Sequence, residues 1–220
     1  DPAKPYTPPM PPRLLICGFS AFPEAPRNPA QAAVEALAAQ GWAPAGFEAR
    51  YLTLPVAWRH SAETVLRALA EQAAEAVLVV GVAVGAEGFR IERIGRNVAA
   101  DRPDDRGQGW SLGCVVAGGM QELACTAPAA AMADAIAGEG LPVALSDDAG
   151  DYLCNFTLYR LLAAEAAPAI GFLHVPQAAE CAPDARFTLA EIERAVRAAA
   201  LSLAAATCAP ASTPPPGPQG

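Results

Sequence analysis

The sequence predicts an α/β/α layered domain, and three observations carry that prediction. Strand-like and helix-like periodicities alternate along the chain, the run Ala76-Val77-Leu78-Val79-Val80-Gly81 is apolar without a break, and no linker or internal repeat divides the order. An unbroken apolar run of that length suits a central strand covered on both faces.

The elements follow in order. Residues 13–18 read as a short buried strand, Leu14-Leu15-Ile16-Cys17, closed by Gly18. Asn28-Pro29 offers a cap and a first-turn proline for an alanine-rich helix to residue 40. Residues 47–54 alternate as a strand does, and residues 61–74 carry apolar side chains at helical spacing with Ser61 as the expected cap. After the central run of residues 76–81 and a polar loop at 101–108, helices are expected at 129–138 and from about 151 to 166. Strands are expected at 142–145 and 169–175, and Thr188 with Glu191 forms a capping-box pattern that opens a last helix to about 206.

Length and balance suit one domain: the chain has 220 residues, 53% apolar and 17% charged. We place that domain at residues 13–207, between proline-rich tails at 1–12 and 208–220 that are too polar and too rich in proline to pack. The formal net charge of -8 and the lack of a basic cluster argue against a nucleic-acid partner. No apolar run approaches the roughly 20 residues needed to span a bilayer, and the start lacks the apolar stretch of a secretion signal, so no membrane partner and a cytoplasmic location are expected. The six cysteines, at positions 17, 114, 125, 154, 181 and 208, are scattered and are expected to be reduced.

One of them stands apart. Cys154 falls in the first turn of an expected helix, where unpaired backbone amides and the helix dipole favour a thiolate and can hold an oxyanion. The plainer reading is a small buried hydrophobe on an alanine-rich helix. A thiol nucleophile usually works with an imidazole, and the chain has only two, His60 and His174. His174 ends an expected strand, at the edge where open α/β sheets place ligands, whereas His60 reads as a solvated helix start. A third group must hold the imidazole. Spacing selects no acid: Glu92, in Phe89-Arg90-Ile91-Glu92-Arg93-Ile94, shares a strand face with Arg90 that either lines a cleft or meets water, where it would pair with Arg90 or Arg93. Gly81 and Gly85 lack the spacing and helix of a dinucleotide loop, and Asp147, Asp148 and Asp151 read as solvated turn acids rather than a metal site.

Several short segments together resemble pyroglutamyl peptidase I. They are Gly18-Phe19-Ser20-Ala21-Phe22 with Asn28-Pro29, Val80-Gly81, Glu92-Arg93-Ile94 with Asn97, Pro103-Asp104, Ser146 with Ala149-Gly150, Leu153-Cys154-Asn155 with Tyr159, and Gly171-Phe172-Leu173-His174-Val175-Pro176. The resemblance implies a three-layer sandwich with a mixed central sheet, similar to nucleoside phosphorylases, and a cysteine peptidase that removes an amino-terminal pyroglutamyl group from peptides. It implies a triad of Cys154, His174 and Glu92, and it alone selects Glu92. It also implies a pyroglutamyl ring held by Phe19 and Phe22, with Asn28, Val82 and Leu153 around it, no metal or cofactor, and a homodimer or homotetramer.

The chain departs from that pattern at Phe22-Pro23-Glu24 and at Val82-Ala83-Val84-Gly85-Ala86, where an arginine of the family is absent. Arg102 is the candidate for the arginine that shares the oxyanion with the Cys154 amide. These departures leave two alternatives: a hydrolase of the same fold with another acyl or small-amide preference, and a relative that binds a ligand without turnover.

Overall fold

The computed structural model describes residues 10–208, so most of both proline-rich tails lies outside the described residues. Eight strands and five helices are described: β1 (Arg13–Phe19), α1 (Pro29–Ala39), β2 (Glu48–Leu54), α2 (Ser61–Glu71), β3 (Ala76–Val82), β4 (Phe89–Glu92), β5 (Ile94–Arg96), β6 (Glu122–Ala124), α3 (Ala129–Gly138), β7 (Val143–Ser146), α4 (Leu153–Ala163), β8 (Ala169–Val175) and α5 (Leu189–Cys208). Six strands form one sheet in the order β2-β1-β3-β8-β4-β7, parallel except where β4 runs antiparallel to β8. The expected mixed sheet is therefore present, and its single reversal lies between the strands that carry Glu92 and His174.

The pleat sorts side chains by parity. Leu14, Ile16, Leu78, Val80, Leu173 and Val175 point to one face, against α1, α3 and α5. Leu15, Cys17, Val77, Val79, Ile170 and Phe172 point to the other, against α2 and α4. Both faces are closed, which is why β3 and β8 are buried along their whole length and read as continuous apolar runs. No helix among the described residues is long and apolar enough to cross a membrane.

The helix ends show which local signals decide. Asn28 caps α1 as expected, its Oδ1 accepting from the Ala30 amide at 2.9 Å. The capping box of α5 is reciprocal: Thr188 N donates to Glu191 Oε2 at 2.8 Å, and Glu191 N donates to Thr188 Oγ1 at 3.2 Å. At α2 the cap position falls on His60, with Ser61 already helical, and the helix ends at Glu71 because Gln72 turns extended. At α4 the helix is shorter than expected at both ends. Gly150 takes a left-handed φ of 84° and the Asp151 carbonyl is bound by the Ala100 amide at 2.7 Å, so the cap position falls on Tyr152. At the other end Glu165 adopts a φ of 45° and stops the helix before Pro168.

The β5–β6 ribbon was not legible in the sequence. It lies across α4, where Gly95 matters: a Cβ there would come within 3.1 Å of Tyr159 Cα. Buried Asn155 on α4 fixes the ribbon, its Oδ1 accepting from Arg96 N at 2.8 Å and its Nδ2 donating to the Arg96 and Val98 carbonyls.

Candidate active site

The register of the sheet builds the site. In the parallel β3–β8 pair Gly81 lies opposite His174, and in the antiparallel β4–β8 pair Arg90 lies opposite His174. Glu92 is two residues further along β4, on the same face and diagonal to His174, within the reach of cross-strand neighbours. His174 Nδ1 and Glu92 Oε1 are 2.7 Å apart, with the imidazole 5% and the carboxylate 0% exposed. Of the surface reading left open for Glu92, burial removes the exposure and Arg93 pairs with Asp147 instead, while Arg90 Nε stays 3.7 Å from Glu92 Oε1.

Cys154 reaches the same face from above. It is the second residue of α4, whose first-turn amides have no side-chain cap, since Tyr152 makes none. Its thiol passes directly over Gly81: a Cβ on Gly81 would lie 2.8 Å from Cys154 Sγ and 3.0 Å from Phe172 Cζ. A glycine flanked by Val80 and Val82 in a buried strand is compatible with such a close approach, but by itself does not say what approaches.

The electrostatics follow from that packing. Burial by itself pushes the His174 imidazole down, but the neighbouring Cys154 and the hydrogen-bonded Glu92 carboxylate outweigh it and raise it from 6.5 to about 9. Burial pushes Glu92 up, yet His174, the neighbouring Ser146 hydroxyl and the Arg90 guanidinium outweigh it and hold the carboxyl below its ordinary value. Burial drives Cys17 up strongly and Cys125 up to about 12, so neither is a nucleophile at neutral pH. His60 is half-exposed, 3.4 Å from Glu63, and stands apart from this cluster.

A cavity of about 540 Å³ opens over Cys154 and His174, and Phe19, Phe22, Asn28, Val82, Leu153 and Arg102 all line it. Glu92 lies behind His174, out of the cavity. Asn28 is already engaged, capping α1 and donating to the Ser20 carbonyl at 2.9 Å. Arg102 lies over the Tyr152 ring, 3.6 Å from its centroid, while Tyr152 donates to the Pro103 carbonyl at 3.0 Å. Buried Asp104 shapes that loop by accepting from the amides of Trp58, Arg106 and Gln108. Four charged residues of the wall, Glu24, Arg90, Asp148 and Asp151, carry no pocket signal in the sequence.

A sequence model described as pyroglutamyl peptidase matches residues 12–208. The chain belongs to the pyroglutamyl peptidase family. Within it, the chain is 34% identical over 209 residues to the pyrrolidone-carboxylate peptidase of Deinococcus radiodurans, covering 88% of this chain and 95% of that one. It is 33% identical over 193 residues to the enzyme of the same name from Aliivibrio fischeri, covering 86% and 90%. The fold is similar to the crystal structure of pyroglutamyl peptidase I from Bacillus amyloliquefaciens, with a TM-score of 0.81 at 26% identity over 89% of this chain and 96% of that one. Pyrrolidone carboxyl peptidase from Thermus thermophilus gives a TM-score of 0.78 at 31% identity, over 86% of this chain and all of that one (100%). Membership makes the chain a cysteine-type peptide hydrolase of the pyroglutamyl peptidase family.

Proposed function

We propose that this protein removes an amino-terminal pyroglutamyl group from short peptides, with Cys154 as nucleophile, His174 as general base and then general acid, and Glu92 as the group that orients His174. The observation that carries the reading is the buried 2.7 Å contact between His174 and Glu92, behind a cavity whose wall also holds Cys154.

In this reading Glu92 fixes the tautomer by accepting the Nδ1 proton, leaving Nε2 for the thiol. The Cys154 thiolate attacks the carbonyl carbon, and the oxyanion is held by the Cys154 amide at the uncapped start of α4, with Arg102 at its side. His174 donates its proton to the leaving nitrogen, and water then hydrolyses the thioester. Phe19 and Phe22 provide apolar walls for a flat, neutral lactam ring, with Val82 and Leu153 completing them and Asn28 bracing the loop.

The nucleophile must stay a thiol, which supports a reducing, cytoplasmic setting. Exposed Leu112 and Met120 support self-association as a homodimer or homotetramer, to be checked by light scattering. The decisive experiment is Cys154→Ser assayed on pyroglutamyl and other aminoacyl amides side by side. Loss of turnover with the fold retained is expected, and full activity would overturn the assignment. Preference for another acyl group in the parent would overturn the substrate while keeping the chemistry.

A further inference from the structure

Arg90 is a cation of the cavity wall whose buried Nε has no hydrogen-bond partner. Five charged side chains besides the imidazole line the cavity: Glu24, Arg90, Arg102, Asp148 and Asp151. Asp148 is paired with Arg96, and Arg102 is stacked on Tyr152. Glu24 follows β1, and Asp151 precedes α4. Arg90 alone among them projects from the strand opposite His174. Its nearest acid is Glu92, with which it forms an ion pair at 3.7 Å from Nε to Oε1, too long for a hydrogen bond; Oε1 is bound by His174 and Oε2 has no hydrogen-bond partner. Among the described residues its side chain makes no hydrogen bond; Nε is buried without a partner while the side chain as a whole is 40% exposed.

A guanidinium with unused donors in a cavity wall is suited to a planar anion, which it grips through two parallel N–H bonds. The pyroglutamyl ring carries no charge, so the anion must come from the other side of the scissile bond. His174 is the group that protonates the leaving nitrogen, and in a two-residue substrate the free α-carboxylate lies two bonds from that nitrogen. A cation directly across the strand pair from His174 is therefore placed for that carboxylate. We propose that Arg90 is a specificity-determining residue that binds the free carboxylate of the leaving amino acid, so that the preferred substrates are pyroglutamyl-amino acids rather than amidated or longer peptides. This rests on the pyroglutamyl reading given above.

The test compares pyroglutamyl-alanine with pyroglutamyl-alaninamide, by kcat/KM in the parent, Arg90→Gln and Arg90→Lys proteins and by calorimetric binding in Cys154→Ala. The parent should favour the free acid by roughly tenfold or more, the scale of a charge-assisted hydrogen bond. Arg90→Gln should bring the ratio close to one, mainly through KM, and Arg90→Lys should retain part of the preference. A parent without preference, or a ratio unchanged in Arg90→Gln, overturns the proposal while leaving the pyroglutamyl reading intact. Equal losses on both compounds with a displaced pH profile would make Arg90 a positioning residue for Glu92 and also overturn it. If neither compound is turned over by the parent or bound by Cys154→Ala, the pyroglutamyl reading itself falls and takes this proposal with it.

Discussion

Three aspartates precede Cys154 within seven residues, and a thiolate is disfavoured by like charge, yet the structure leaves only one of them to act. Asp147 is bound by Arg93 and Asp148 by Arg96, so their fields are largely cancelled; Asp151 lines the cavity beside Cys154. Asp151→Asn should therefore move the acidic limb of kcat/KM to lower pH at low ionic strength, whereas Asp147→Asn should not. Identical profiles for parent and Asp151→Asn would end the claim that Asp151 tunes the nucleophile. Glu92→Gln keeps an acceptor for His174 but removes the charge that stabilises the imidazolium. We expect kcat to fall on the order of a hundredfold or more with little change in KM. A loss confined to KM would make Glu92 a binding residue. The same substitution removes a raising influence on His174, and because the chain has only two histidines its titration can be followed by NMR and should shift downward.

At the scale of elements, the site exists because α4 starts directly above β3. Gly81→Ala places a methyl group 2.8 Å from the Cys154 sulfur and 3.0 Å from the Phe172 ring, both in a packed setting. Overpacking of this kind should cost about 1–3 kcal/mol of stability, and because the thiol must move, activity should fall further than stability alone explains. Part of the strain should vanish when the sulfur is absent. Denaturation of the four proteins in a Gly81→Ala, Cys154→Ala cycle should show a smaller cost for Gly81→Ala in the Cys154→Ala background; strict additivity would mean that the two groups do not touch.

For the molecule as a whole, the buried His174–Glu92 pair links stability to pH. His174 is raised from 6.5 to about 9, so its contribution is complete below about 6.5 and is lost as pH rises through about 9. Glu92 is lowered from 4.5, so its contribution is complete above about 4.5 and is lost as pH falls through its depressed value. The pair therefore contributes most between these limits. Chemical denaturation should show the excess stability of the parent over a Glu92→Gln, His174→Asn double variant to be largest near pH 5–6, about midway between the two ordinary values, and to shrink toward pH 10. A pH-independent difference would mean that neither group titrates with folding.

The sequence by itself determined the layered α/β order, because periodicity is local: the β3 and β8 runs, the Asn28 cap and the Thr188–Glu191 box are each written in a few adjacent residues. It also marked Cys154 and His174, through a helix start and a strand end. Glu92 came only from the family resemblance, because its link to His174 spans 82 residues and depends on the antiparallel register of β4 with β8. Other residues of the resembling segments serve the frame: Asn97 accepts from the Val115 and Val116 amides, Asn155 holds the β5–β6 ribbon, and Tyr159 donates to the Met120 carbonyl. Only the tertiary structure decided that Gly81 makes room for the thiol, that Arg93 and Arg96 neutralise two of the three aspartates, and that Arg90 faces the cavity beside His174. Those are distances between strands and helices remote in sequence, and such distances are set by register and packing, which no local pattern encodes.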